Sequence, residues 1–191
     1  MSVILISGSP SSSSSGARLL HHVGERLASH GHLVSRLQVR ELPAAALLHG
    51  DCSDPSIARA LAQVAASDAV VIATPIYQAS FAGALKCFLD LLPQEGLDGK
   101  LVLPIATGGS QSHLLALDYA LRPVLAALAA RFILPSIYAA SSQLGWQAED
   151  GLRLDAPIAH RVARGVEQLS SELFALALRR PRHIPHQPAI A

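Results

Sequence analysis

The first twenty residues constrain the fold more than any other part of the chain. Residues 3–6 are four consecutive apolar residues, typical of a buried parallel strand, and apolar residues recur at helical spacing from Leu19 to Leu27. Residues 7–16 between them are all glycine, serine or proline. Such a loop brings free backbone N–H groups, small hydroxyls and the positive end of a helix to one point. The pattern predicts an anion site, and a phosphate is its simplest occupant.

Two common nucleotide-binding motifs are missing from this loop. No Gly-Lys-Ser or Gly-Lys-Thr closes it, which argues against a P-loop, and it lacks the G-x-G-x-x-G pattern of Rossmann dinucleotide sites. A flexible serine-rich connector is the alternative interpretation. The anion site is favoured because a linker rarely fits so tightly between a strand and its crossover helix.

The rest of the chain alternates between predicted strands and predicted helices. Apolar runs predict strands at residues 3–6, 33–39, 69–73, 101–106 and 132–140. Helical spacing and caps predict helices at residues 17–29, 54–67, 82–92, 113–130 and 158–180. The links include a short irregular or helical segment at residues 43–51 and a polar, glycine-containing loop at 141–157.

This alternation is typical of an α/β doubly wound parallel sheet with helices on both faces. Five strand–helix units in 191 residues favour a flavodoxin-like, five-stranded sheet of order 2-1-3-4-5 over a six-stranded dinucleotide domain. We expect one domain at residues 1–180 and a flexible, proline-containing tail at residues 181–191. In that order the segments after strands one, three and four meet at the carboxyl edge of the sheet.

Two further predicted loops lie at this edge. In residues 74–78, Pro75 fixes the backbone as it leaves the strand, and Tyr77 offers a flat amphipathic ring. In residues 107–110, Gly108 and Gly109 allow the backbone to approach a planar ring and to present N–H groups to it. Taken alone, Tyr77 could be an ordinary packing residue and the glycines a plain tight turn. The convergence of three such loops favours a ligand site.

Composition narrows the class of function. Half of the chain is hydrophobic and only 15% is charged, which predicts a subunit interface, and a net charge of +1 argues against binding nucleic acid. We expect a cytoplasmic protein, because no signal peptide or membrane span is visible and Cys52 and Cys87 fit reduced, buried residues. None of the nine histidines shows metal-ligand spacing, so no metal site is predicted.

Several motifs together carry a family resemblance. Gly8-Ser9-Pro10, Thr74-Pro75-Ile76-Tyr77 and the segments at residues 81–86, 89–93, 103–109 and 113–125 resemble those of NADPH-dependent FMN reductases. The last two segments are similar to the flavin reductase component of two-component alkanesulfonate monooxygenase systems. The resemblance covers residues 3–140, and the stretch with Tyr119 inside a helical pattern is its most specific part.

The resemblance implies a flavoprotein oxidoreductase that reduces FMN with NADPH or NADH. It further implies a homo-tetramer or dimer that releases reduced FMN to a monooxygenase, which desulfonates organosulfonates for sulfur acquisition. The tyrosine matching Tyr119 is expected in a widened helical turn at the subunit interface, near the flavin of a neighbouring subunit. Without the resemblance, Tyr119 would be interpreted as a core aromatic residue of a helix.

The resemblance and the loop chemistry together select a set of FMN-binding residues and no catalytic acid, base or nucleophile, because the cofactors carry the hydride chemistry. The residues predicted to hold the phosphate are Ser9, Ser11, Ser13, Ser14, Ser15, Gly16 and Ala17. Those predicted to hold the isoalloxazine are Pro75, Ile76, Tyr77, Gln78, Thr107, Gly108, Gly109 and Ser110, with Tyr119 stacking on the flavin and gating it.

The sequence departs from the family pattern at two places. Serines stand where many relatives carry Arg or Asn, so phosphate binding rests on hydroxyls and backbone, with Arg18 as a further contact. Gln78 stands where close relatives often have Lys, which removes one expected phosphate contact. The first departure suggests a flavin that is held weakly and leaves.

Three other functions remain open at this point. One is a tight FMN flavoprotein that reduces quinones, azo dyes or metal oxyanions. A second is a non-enzymatic, flavodoxin-type electron carrier, although such carriers are usually strongly acidic and this chain is nearly neutral. A third is a structural protein that binds no flavin.

Overall fold

The structure is a computed structural model that describes residues 1–147 and 151–179. Its strands are β1 (Ser2–Ser7), β2 (Leu33–Gln38), β3 (Ala69–Tyr77), β4 (Ser80–Phe81), β5 (Leu101–Gly108), β6 (Phe132–Ile133), β7 (Ile137–Ala140), β8 (Leu144–Gln147) and β9 (Gly151–Leu154). Its α-helices are α1 (Ser15–Ser29), α2 (Ala44–His49), α3 (Pro55–Ala65), α4 (Gly83–Leu89), α5 (Arg122–Ala127) and α6 (Ala156–Arg179). The predicted tail at residues 181–191 lies outside the described residues.

The central sheet has the predicted flavodoxin-like order. Strand β1 pairs in parallel with β2 on one side and β3 on the other, β3 pairs with β5, and β5 pairs with β6 and then β7. Strands β6 and β7 together occupy the fifth position, so the order corresponds to 2-1-3-4-5. The predicted continuous strand at 132–140 is interrupted around Pro135, which has no N–H to donate to a ladder.

Helices cover both faces of the sheet and bury two separate hydrophobic cores. Helices α1 and α6 pack on the face that carries Val3 and Leu5 of β1, and helices α2 to α5 pack on the face that carries Ile4 and Ile6. Each β1 side chain in this run is at most 1% exposed. The continuous apolar run at the start of the sequence therefore forms a strand that is covered on both sides.

The helix predicted at 113–130 and the loop predicted at 141–157 also differ from the structure. The helix predicted at 113–130 is divided into a 3₁₀ turn (Gln111–His113), a π-helical segment (Leu117–Leu121) and α5. The polar loop predicted at 141–157 contains a 3₁₀ turn (Ser141–Gln143) and an antiparallel hairpin of β8 and β9. The hairpin was hidden because its strands are only four residues long, β8 is largely exposed and β9 is only half-buried.

Neither a membrane-crossing helix nor a metal-ligand cluster occurs in the part of the chain that the structure describes. None of the helices there is both long and apolar enough to cross a bilayer. No group of three or more His, Cys, Asp or Glu side chains in that part is arranged to hold a metal ion.

Candidate functional site

The loop after β1 connects three elements at the carboxyl edge of the sheet. The Gly8 N–H donates to the Ala73 carbonyl of β3 at 2.8 Å. A Cβ at Gly8 would lie 2.7 Å from the Leu85 Cβ of α4, closer than real side chains come. Glycine is therefore required here, because the loop passes directly against α4.

The serine run divides into residues that shape the loop and residues that face outward. Ser9 is buried, and its hydroxyl accepts from the Ser11 N–H and donates to the Ser11 carbonyl, both at 3.2 Å. Ser14 is the N-cap of α1, with its hydroxyl accepting from the Ala17 N–H at 3.1 Å. Ser11 and Ser13 are exposed, with their hydroxyls 3.4 Å apart. The outward hydroxyls therefore lie beside the start of the helix.

The first turn of α1 reaches across to β5. A Cβ at Gly16 would lie 3.1 Å from the Thr107 hydroxyl oxygen, so only a residue without a side chain fits without displacement. The first turn of a helix leaves N–H groups without an intrahelical acceptor, and Ser14 satisfies that of Ala17. The remaining N–H groups, together with the helix dipole, favour an anion at this point. The predicted anion loop is thus adjacent to the end of β5.

The second predicted loop, at residues 74–78, is not a loop. Strand β3 continues to Tyr77, with Pro75 opposite Thr107 of β5, and then turns back into β4. Gln78 and Ala79 form the two-residue turn with φ angles of 46° and 60°. Two successive left-handed residues are typical of a type I′ hairpin. The prediction of a loop at residues 74–78 was wrong. The hairpin was not recognised because neither Gln78 nor Ala79 is the glycine or asparagine that usually identifies such a turn.

Thr74 and Pro75 lie inside the protein rather than at its surface. The Thr74 hydroxyl donates to the Pro75 carbonyl and accepts from the Ala82 N–H, both at 3.0 Å, and Ala82 precedes α4. Ile76 is also buried, whereas Tyr77 is 53% exposed. This segment therefore orders the start of α4 and presents only the tip of the hairpin, Tyr77 and Gln78, to a ligand.

The third predicted loop begins later than expected. Strand β5 continues to Gly108, with Thr107 and Gly108 paired to β7, so that only Gly109 and Ser110 are loop residues. A Cβ at Gly108 would overlap the Tyr138 hydroxyl and lie 3.6 Å from the Ile76 Cβ. A Cβ at Gly109 would meet open space. Gly108 therefore joins the second and third segments, and Gly109 is the position open to a planar ligand.

Two residues that the sequence analysis missed support this loop. The Tyr138 hydroxyl donates to the Ser110 carbonyl at 2.5 Å, and the Ser141 hydroxyl donates to the Gly108 carbonyl at 3.2 Å. Burial raises the pKa of Tyr138 above its ordinary value, so its hydroxyl keeps its proton and remains a donor at neutral pH. An aromatic residue at a strand end carries no local signal of this role.

Tyr119 lies on the π-helical segment and is 77% exposed. The Arg122 N–H donates to the Leu117 carbonyl, five residues back, which is the widened turn that the family resemblance implies. Pro123 has no N–H for the Tyr119 carbonyl, so a regular α-helix cannot pass through this point. The interpretation of Tyr119 as a core residue is therefore wrong.

Exposed apolar side chains cluster around this segment. The hairpin strand β4 packs beside the π-helical segment. Four large apolar side chains in the hairpin, in the π-helical segment or just before that segment are at least 43% exposed: Tyr77, Leu114, Leu115 and Tyr119. An exposed set of this kind is typical of a surface that contacts another molecule.

A cavity lies next to the anion loop, on the side away from the second and third segments. It has a volume of about 710 Å³. It lies among α1, the carboxyl half of β2 and the β8–β9 hairpin, and it touches the loop at Ser7, Ser12 and Ala17. None of residues 75–78 or 107–110 lines it. The cavity is therefore separate from the surface between the hairpin tip and the end of β5, which is called the cleft below.

The geometry suits a planar ligand with a phosphate. Outward hydroxyls and helix N–H groups lie at one end, and an open glycine backbone and an exposed tyrosine lie at the other. No acid–base pair or nucleophile with a neighbouring base is found among the residues described at this edge, which fits chemistry carried by a cofactor.

Comparison with known proteins agrees with this geometry. The family model of NADPH-dependent FMN reductase matches residues 1–145. The chain is 43% identical over 185 residues to an FMN reductase (NADPH) of Pseudomonas putida, covering 96% of this chain and 92% of that protein. It is 42% identical over 144 residues to an FMN reductase (NADPH) of Escherichia coli K12, covering 75% of each.

Solved structures give the same result. The apo form of an NADH:FMN oxidoreductase superposes with a TM-score of 0.82 at 35% identity, covering 90% of this chain and 89% of that one. An archaeal flavodoxin superposes with a TM-score of 0.60 at 11% identity, covering 91% and 99%, which shows the shared flavodoxin-like fold alone. The chain belongs to the NADPH-dependent FMN reductase family, oxidoreductases that use NADPH or NADH to reduce FMN.

Proposed function

We propose that this protein reduces FMN as an exchangeable substrate and releases it to a flavin-dependent monooxygenase that desulfonates organosulfonates. One observation carries the exchange part of the proposal. The anion loop offers hydroxyls and backbone N–H groups but no lysine or arginine between Ser7 and Ala17. Arg18, which the sequence suggests as a further contact, stacks on the Trp146 ring at 4.2 Å from its centroid, so in this proposal it does not bind the flavin phosphate. Hydrogen bonds to a phosphate without a cation are weaker than charge-assisted ones, which favours release.

The phosphate of FMN fits the start of α1. In this proposal the exposed hydroxyls of Ser11 and Ser13 and the first-turn N–H groups of Ser15 and Gly16 bind its oxygens. Ser14 caps the helix and donates its hydroxyl proton, and Ser9 holds the loop in shape. Ala17 completes the turn without filling the site.

The isoalloxazine fits the cleft between the hairpin tip and the end of β5. Gly109 leaves open space above the backbone, and Gly108, Thr107 and Ser110 hold that backbone in position through β7 and Tyr138. Tyr77 and Gln78 border the ring on the other side, with Pro75 and Ile76 packed beneath them. Bound there, FMN would supply the hydride acceptor and the nicotinamide the hydride, and the residues of this chain would orient the two rings and exclude water.

We further propose that the protein acts as a homo-tetramer or dimer, in which Tyr119 contacts the flavin site of a neighbouring subunit. Tyr77, Leu114, Leu115 and Tyr119 are exposed beside that site, and burying them against a second copy would remove them from water. An interface next to the cleft would also explain how the flavin is gated.

Purified, flavin-free protein tests the reductase assignment. NADPH oxidation should require added FMN, saturate with it, and consume many equivalents of FMN per subunit. A coupled assay with an alkanesulfonate monooxygenase should then release sulfite only when both proteins are present. Absence of FMN-dependent oxidation with either nicotinamide would refute the proposal.

The main alternative is a flavoprotein that holds FMN tightly and reduces quinones. Dialysis separates the two functions. A colourless protein after dialysis, with activity restored by free FMN, supports the exchangeable substrate, whereas a yellow protein with quinone turnover supports the alternative.

A further inference from the structure

We propose that the cavity beside the anion loop binds the 2′-phosphorylated adenosine half of NADPH. This inference rests on the proposed function, since it assigns a second subsite to the same reaction. The cavity shares Ser7, Ser12 and Ala17 with the loop, so its ligand would lie next to the flavin phosphate. Its volume of about 710 Å³ is in the range of sites that enclose a nucleotide-sized ligand.

The charges that line the cavity select an anion. Arg18 of α1 and Arg36 of β2 both line it, as do His21, His22 and Glu25. Glu25 is the one carboxylate among these residues, and it lies 3.2 Å from the His21 ring. Within residues 1–147 and 151–179, neither arginine forms an ion pair with a carboxylate. The two guanidinium groups outnumber the single carboxylate, and two guanidinium groups in one cavity are a common means of binding a phosphate.

The other cations near the flavin cleft are neutralised. Lys86 of α4 contacts Asp90 at 2.6 Å, and Arg122 of α5 lies 3.4 Å from Asp118. The hairpin tip and residues 107–110 contain no basic side chain. A 2′-phosphate, which is the only chemical difference between NADPH and NADH, therefore finds its unpaired cations in the cavity and not in the cleft.

Trp146 of β8 supplies a surface for a base. The Arg18 guanidinium lies 4.2 Å from the centroid of the indole ring, and the tryptophan remains 52% exposed. A stacked arginine fixes the indole orientation while leaving part of the ring accessible. The combination of an aromatic ring and two arginines fits a purine bearing a phosphate better than it fits an inorganic anion.

The backbone places these groups along one path. Gln38 pairs with Ser7 in the β1–β2 register, and Arg36 pairs with Leu5. Gln38 and Arg36 lie on β2, which borders β1 on one side. Strand β3, where the flavin cleft begins, borders β1 on the other side. A dinucleotide whose nicotinamide stacks in the cleft could thus extend past the anion loop and place its adenosine over β2.

The test compares the two nicotinamides in three variants of the full chain. Arg36→Gln should raise the KM for NADPH about tenfold, because it removes a charge-assisted hydrogen bond to the phosphate, and should change the KM for NADH less than about twofold. Arg18→Gln should raise the KM for NADPH more than that for NADH, which should rise as well because Arg18 also holds the Trp146 ring. Arg59→Gln is the matched control: it removes an exposed arginine of α3 that bonds only Ser56 among the described residues, and both KM values should stay unchanged.

Calorimetric titration of flavin-free protein gives a readout that does not depend on activity. The wild-type protein should bind 2′,5′-ADP, bind 5′-ADP more weakly, and lose about tenfold in affinity for 2′,5′-ADP on Arg36→Gln. NADPH should compete with 2′,5′-ADP. Trp146→Ala should weaken both nucleotides alike, because stacking does not read the phosphate.

Three results would overturn the assignment. Equal changes in the KM for NADPH and NADH would mean that the arginines do not read the 2′-phosphate. If the arginine variants bound FMN more weakly, whichever nicotinamide was used, the flavin phosphate would lie in the cavity. Binding of 2′,5′-ADP that NADPH does not displace would indicate a site for a free nucleotide. A protein that binds 2′,5′-ADP in competition with NADPH but reduces no FMN would instead refute the proposed function and leave the subsite standing.

Discussion

Three glycines allow the segments of the candidate site to pack closely against one another. Gly8 permits contact with α4, Gly16 with Thr107, and Gly108 with Tyr138. Each of these contacts joins a segment after one strand to a different element. The site is therefore defined as much by absent Cβ atoms as by functional groups.

Gly108→Ala should destabilise the protein by about 1–3 kcal/mol, because the new methyl group overlaps the Tyr138 hydroxyl. Urea unfolding measures the change. The same substitution in a Tyr138→Phe background should cost less, since the overlapping atom is gone. An equal cost in both backgrounds would contradict the packing described for this pair.

Tyr119→Ala should change flavin turnover or retention while altering the free energy of unfolding by less than about 0.5 kcal/mol, because the side chain is exposed. Thermal unfolding and steady-state FMN reduction measure the two effects. Tyr119→Phe is the control and should behave like the wild type if the ring, not the hydroxyl, contacts the flavin. If Tyr119→Ala lowered the stability and left flavin turnover unchanged, Tyr119 would be a packing residue and not a flavin contact.

His32 makes the stability depend on pH. Burial lowers its pKa, with smaller contributions from the N-terminal amino group and His30. Its ring lies 2.7 Å from the Ser170 hydroxyl and packs against Phe174. Because the unfolded state takes up the proton first, stability should fall as the pH drops below about 6.5.

Urea unfolding at pH 7.5 and 5.5 tests this dependence. His32→Gln should lower stability at pH 7.5 but reduce the loss between the two pH values. Ser170→Ala should lower stability while keeping the ring and its pH dependence. An unchanged pH dependence in His32→Gln would exclude this histidine as the source.

At the scale of elements, the sequence predicted those helices and strands that have a strong hydrophobic periodicity or clear caps. Strand β1, helix α1 and helix α3, which begins after the cap Asp54, lie close to their predicted places. Exposed short strands such as β8 and β9 escaped prediction, because they bury too little to show alternation. The extension of β3 beyond Ala73 was not predicted either. Pro75 favoured a loop at this point, whereas the strand continues because it pairs with β5.

The hairpin turn gives an element-scale prediction. Gln78 and Ala79 both adopt left-handed backbone angles, which cost a residue with a side chain about 1 kcal/mol each. The double variant that combines Gln78→Asn with Ala79→Gly should therefore raise the midpoint of thermal unfolding, because asparagine and glycine tolerate these angles. Ala129→Gly, at another left-handed position, offers a control away from the site. A lower midpoint for the hairpin variant alone would show that the turn is not of type I′.

At the scale of the whole molecule, sequence reasoning could reach the cleft but not the cavity. The three segments of the cleft follow strands of one parallel sheet, so their meeting was predictable from topology. The cavity needs Arg18, Arg36 and Trp146 together, and these residues come from a helix, an edge strand and an unpredicted hairpin. No spacing in the sequence relates them.

The hydrophobic composition also has its explanation at this scale. Two full cores on opposite faces of the sheet account for much of it. The exposed set of Tyr77, Leu114, Leu115 and Tyr119 accounts for a further part, and the proposed dimer or tetramer would bury it against a second subunit. Composition, exposure and the proposed interface thus agree on one surface.

The central claim is that FMN is a substrate that leaves the protein after reduction. The dissociation constant of FMN, measured by flavin fluorescence titration of flavin-free protein, tests this most directly. Binding by hydroxyls and N–H groups without a cation predicts a value on the order of micromolar, or about −8 kcal/mol. A dissociation constant in the nanomolar range or tighter would contradict the account and favour a resident cofactor.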